Sequence, residues 1–198
     1  MLTPAKEYLM DIELNTLLVA MMFVTILCMG IGNILMVLAD LFNHATTSRR
    51  AGIHAGWMVL LLIVHFNLFW HTKAILEVED WGFGDFLLAI AGPILLFFAS
   101  SVLLTSPSEV EQADLKAFWL KIARRFFLMF AAVQAWILVV DIAMVGQFSS
   151  GDVLNLALGV LALFLATSRS LKVHLVGLCV AWGIGMISAA MRTMGLVT

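Results

Sequence analysis

Residues 65–73 read HFNLFWHTK, which places two imidazoles, a carboxamide and an ammonium group on one short segment. Side chains of these types suit proton and ion chemistry. Histidine titrates near neutrality, an amide offers both donor and acceptor, and a lysine inside a membrane needs a counter-charge. Gln134 and Asp141 lie in a later apolar run. His65, Asn67, His71, Lys73, Gln134 and Asp141 are therefore the candidate polar or permeation layer. At 100° per residue Asn67 and His71 share a helix face, whereas His65 points about 160° away from Asn67, towards His54 and Thr72. Asn67 and His71 are expected to face the bundle with Gln134. Lys73 either balances Asp141 or reaches the interface beside Trp70 and Trp81. His65, the deepest of the set, is the candidate for titration, against the alternative of a satisfied core histidine. Asn67 and Gln134 also suit interhelical hydrogen bonds, worth about 0.6 kcal/mol each.

Composition says what must position these groups. The 198 residues are 63% hydrophobic and 12% charged, far more apolar than soluble domains. The reading is an all-α polytopic integral membrane protein, a single transmembrane domain over 1–198. About 20 apolar residues cross a bilayer, and six such runs are expected at 14–40, 52–78, 84–105, 117–146, 152–168 and 171–192. The N-terminus lacks the basic start of a signal peptide, so the first run reads as an uncleaved span. Net charge is −2 and no basic cluster is interleaved with aromatics, which argues against a nucleic-acid partner. Cys28 and Cys179 lie in apolar helices and read as small packing residues.

Lysine and arginine set the orientation. Arg49, Arg50, Lys116, Lys121, Arg124, Arg125, Arg169 and Lys172 fall at one set of helix ends, with only Lys6, Lys73 and Arg192 at the other. The positive-inside rule then gives a cell-membrane protein with both termini on the non-cytoplasmic side. Ser108 and Glu111 have capping-box spacing, so a helix is expected to start near Glu109 and run into the fourth span. Its Lys121, Arg124 and Arg125 would lie near lipid headgroups.

GDFLLAIAGPILLFFASS (84–101) aligns without a gap on GDVLNLALGVLALFLATS (151–168), which suggests an internal repeat of helices 2–3 and 4–5. Asp85 and Asp152 then read as helix caps, and the same offset sets Asn67 beside Gln134. In the last span Gly177, Ala181, Gly185 and Ala189 recur every fourth residue as a helix-packing groove. Gly30 and Gly32 are candidates for the opposing surface. The Gly92-Pro93 pair is expected to kink or break the third helix.

Three functional classes fit. The first is an ion or small-solute channel or transporter built around the polar layer. The second is a b-type haem protein, with His54 and His174 at similar depth as axial ligands. The third is a non-catalytic partner subunit or assembly factor that uses helix 6 to meet a membrane partner or a second copy. There is no metal-site spacing, no nucleotide-binding glycine loop, no H-E-x-x-H and no G-x-S-x-G, so the sequence does not point to an enzyme.

Overall fold

The computed structural model describes residues 4–43, 49–70, 81–104, 115–146 and 148–193. Six helices form there: α1 Pro4–Asn43, α2 Arg49–Trp70, α3 Phe83–Val102, α4 Leu115–Val140, α5 Ser150–Thr167 and α6 Leu171–Thr193. Each is long and apolar enough to cross a membrane. The apolar stretches begin and end within three residues of the sequence expectation, except that the end placed at 78 lies outside the described residues. The region around Ser108 and Glu111 is also outside them.

Side-chain contacts fix the helix directions. Trp81, just before α3, donates to Thr16 near the start of the α1 span, and Asn33 near its end reaches Ser100 and Ser101 near the end of α3. So α1 and α3 run in the same direction. Gln134 meets Gly159, and Asp141 meets Asp152, which makes α4 and α5 antiparallel. Leu165 meets both Gly177 and His174, so α6 turns back again. The bundle therefore alternates throughout, with a basic end carrying exposed Lys121, Arg124, Arg125, Arg169 and Lys172, and an acidic end carrying Asp85, Asp141 and Asp152.

Around the bundle the packing order is α1, α3, α4, α5, α6, and α2 closes it by touching α1, α3, α4 and α6. The core is densest where Trp57 of α2 meets Phe126, Phe127 and Phe130 of α4 edge-on, with centroids 5.8, 4.9 and 6.2 Å away. Such edge contacts place the positive ring edge against a negative face. Outward-facing residues are mostly large and apolar, including Leu18, Met36, Phe98, Val160 and Met186, a surface compatible with a membrane. Cys28 and Cys179 also lie on that outer surface rather than in the packing.

Local chemistry explains the ends. Asp85 and Asp152 cap as expected, but from the third helical position. Their carboxylates accept the backbone N–H of Gly82 at 3.1 Å and of Ser149 at 2.6 Å, relieving donors that the helix leaves unpaired. Proline inside α3 does not break it. Pro93 removes one backbone donor, yet the helix is continuous from Phe83 to Val102. In the preceding turn the Leu88 carbonyl accepts the Trp136 indole N–H at 2.7 Å. At the other end of α4, residues Asp141–Val145 form one π-helical turn, stopped by Gly146 at φ 69°, a conformation glycine adopts without penalty.

The recurrence of α2–α3 in α4–α5 is confined to these capped starts. Repeat symmetry would seat Asn67 on Gly92 as Gln134 is seated on Gly159, but Gly92 takes Trp136 of α4 instead. The hairpins also pack differently, since α4 lies along α5 while α2 and α3 barely touch.

Candidate functional site

Among the described residues, His65 and Gln134 lie at different helix contacts. His65 is fully enclosed. Its Nδ1 lies 2.8 Å from the Leu61 carbonyl one turn back, so Nδ1 carries the hydrogen and Nε2 is the bare acceptor. Nε2 faces Gly30 of α1, and among the described residues no hydrogen-bond donor reaches it. Gly30 thus serves as the seat for an imidazole and not as the counterpart of the α6 stripe. A β-carbon at Gly30 would collide with that ring, while one at Gly32 would meet nothing. Gly30→Ala is expected to destabilise the protein by about 1–2 kcal/mol through overpacking, and Gly32→Ala to be neutral or slightly stabilising. Thermal midpoints of the two purified variants check this; equal midpoints would mean that His65 gives way freely.

Gln134 belongs to a different interface. It is 2% exposed and rests on Gly159 of α5, with its Oε1 buried and unpartnered. Asn67 is half-buried on α2. His71 and Lys73 lie outside the described residues, and with them the Lys73–Asp141 pairing.

Asp141 is placed by the π turn and Asp152 by the first turn of α5, and the two carboxyl side chains lie beside one another. Asp152 is 1% exposed. Its Oδ2 is occupied by the Ser149 N–H, and its Oδ1 has no partner satisfying hydrogen-bond geometry. Two neighbouring carboxyls offer several oxygens that a proton or a cation can join. Sequence reasoning treated Asp152 as a cap and did not pair it with Asp141. The clue it lacked was that a short link between two antiparallel helices brings the last turn of one beside the first turn of the next.

At the basic end His174 is fully enclosed and joins three helices. Its Nδ1 accepts the Trp119 indole N–H at 2.7 Å, and its Nε2 lies 3.2 Å from the Leu165 carbonyl. Those partners require the neutral tautomer with hydrogen on Nε2. His54 packs edge-on against the same indole, centroid to centroid 5.7 Å, and faces the Leu103 carbonyl. Bis-histidine haem ligation does not suit this donor set, since both ring nitrogens of His174 are engaged and the two histidines share Trp119 as their packing partner. Among the described residues no three His, Cys, Asp or Glu side chains come together as a metal site.

Two polar contacts had no sequence signal. The Asn33 amide lies 3.4 and 3.3 Å from the Ser100 and Ser101 hydroxyls, each of which donates to the Phe97 carbonyl. The Trp81 indole donates to Thr16 at 3.2 Å, so Trp81 ties α3 to α1. Beside it a cleft of about 440 Å³ is walled by Asn15, Leu18, Met22, Phe83 and Phe86 among others. None of the candidate polar residues lines that cleft.

The α6 stripe is largely consumed within the chain. Gly177 receives Leu165 of α5, Ala181 is fully buried, and Gly185 faces Leu60 of α2. Ala189 alone of the four is exposed. Comparison with protein-family models, with characterised proteins and with solved structures finds no match to this chain.

Proposed function

We propose that the protein is a multi-pass cell-membrane protein, with both termini on the non-cytoplasmic side, that conducts or carries protons or small monovalent cations along the α4–α5 interface. The observation that carries this reading is the contact between Asp141 and Asp152 at the acidic end of an apolar bundle. Ionisable groups in membrane spans are costly to bury and mark ion and proton pathways. Gln134 supports it as a further buried acceptor on the same interface, two helical turns deeper. The basic end faces the cytoplasm in this orientation, so the carboxyl pair is the outer entrance. His65 lies at the α1–α2 contact and is the second candidate for titration.

The test is flux into proteoliposomes, followed with an internal pH dye and with a cation tracer. Asp152→Asn keeps an oxygen to cap Ser149 and removes the ionisable group; Asp141→Asn does the same for its partner. Each is expected to slow flux at least about tenfold, as loss of a group bound in the rate-limiting state does. A silent wild-type protein, or unchanged flux in both variants, would overturn the reading.

A further inference from the structure

We propose that α4 carries a binding site for an anionic diacyl phospholipid, with the phosphate held by Lys121, Arg124 and Arg125 at the basic end. Residues three and four apart share a helix face, and all three cations are exposed. The same face continues towards the acidic end as Leu128, Ala135 and Val139, also exposed, with Leu128 and Val139 about half accessible. Cationic first and then apolar, this stripe matches the order of headgroup and acyl chain in one lipid molecule. A soluble anion would use only its first turn.

Depth supports the same occupant. Asp141 meets Asp152, and seven residues further along each helix Gln134 meets Gly159, so α4 and α5 advance in step. Ten residues beyond that, Arg124 is level with the turn after α5 that holds exposed Arg169. The α5 span is 18 residues, about 27 Å at 1.5 Å per residue, close to the roughly 30 Å of a hydrocarbon core. Arg124, Arg125 and Arg169 therefore stand where lipid phosphates lie, with Lys121 one turn further out. Guanidinium groups bind phosphate oxygens in pairs, and basic residues near an anionic surface each contribute to lipid attraction.

The test uses the full-length protein in neutral detergent micelles, with its thermal midpoint followed by tryptophan fluorescence. Added phosphatidylglycerol is expected to raise the midpoint by about 5 °C or more at saturation, while phosphatidylcholine and glycerol 3-phosphate leave it near the starting value. An equal rise with phosphatidylcholine would overturn the requirement for negative charge. An equal rise with glycerol 3-phosphate would overturn the lipid in favour of a soluble phosphate. The triple variant K121Q/R124Q/R125Q is expected to lose the phosphatidylglycerol response; a retained response would overturn the assignment to these residues. If that variant does not purify folded, Arg124→Gln and Arg125→Gln singly are each expected to weaken the apparent phosphatidylglycerol affinity about fivefold, and unchanged affinity in both would count against the site. None of these readouts depends on ion flux.

Discussion

Trp119→Ala is expected to cost about 3–5 kcal/mol of stability, the range for removing a buried large aromatic side chain. Trp119 is nearly enclosed and packs against His54, Phe126, Phe127 and His174, with centroids between 5.7 and 6.2 Å. Truncation leaves a cavity at the meeting point of α2, α4 and α6. It also removes the indole N–H that His174 Nδ1 accepts, and an orphaned buried acceptor adds about 1–3 kcal/mol. Trp119→Phe separates the two effects by keeping most of the ring and losing the N–H. Denaturation of the purified variants in mixed micelles gives both numbers, and a double-mutant cycle with His174→Phe isolates their coupling. A phenylalanine variant as stable as the parent would mean that the 2.7 Å hydrogen bond contributes nothing net.

The second large effect is expected at Gly92. A β-carbon there would run into three ring carbons of Trp136. That ring cannot swing aside cheaply, because its N–H is committed to the Leu88 carbonyl and the residue is 8% exposed. Alanine ordinarily improves a helix by nearly 1 kcal/mol over glycine, so the sign is a contest. Overpacking of about 1–3 kcal/mol should win, and Gly92→Val should exceed Gly92→Ala by a wide margin. Trp136→Phe in the Gly92→Ala background is expected to recover part of the loss by making room at the ring. Thermal midpoints of the three variants decide it, and a Gly92→Ala protein more stable than the parent would show that α3 and α4 can move apart.

The six helices were legible because hydropathy is one-dimensional: it counts along the chain and needs no partner. The ends of the apolar spans, apart from the one placed at 78, were legible for the same reason, as were Asp85 and Asp152 as caps, whose partners lie within three residues. What the sequence could not convey was the rotation of each helix about its own axis and the choice of neighbour. His65 and Gln134 sit at similar depth, yet one faces α1 and the other α5. His54 and His174 do lie at one level, but an indole already holds them both. The Gly92-Pro93 pair read as a breaking point because the lost backbone donor is local information. The glycine's role as a seat for Trp136, across the α3–α4 contact, is not.

The His174 ring bears on how the chain is assembled. Trp119 and Leu165 belong to a hairpin whose helices precede α6 in the chain, and each points a polar group at a position that only α6 fills. Because α4 and α5 are synthesised before α6, that hairpin waits with an unsatisfied indole N–H and a gap where the imidazole will go. The arrival of α6 satisfies the indole and fills the gap in one step. The basic end of the bundle is thus a latch closed by α6, and a chain arrested before α6 would carry an open polar seam that marks it as unfinished.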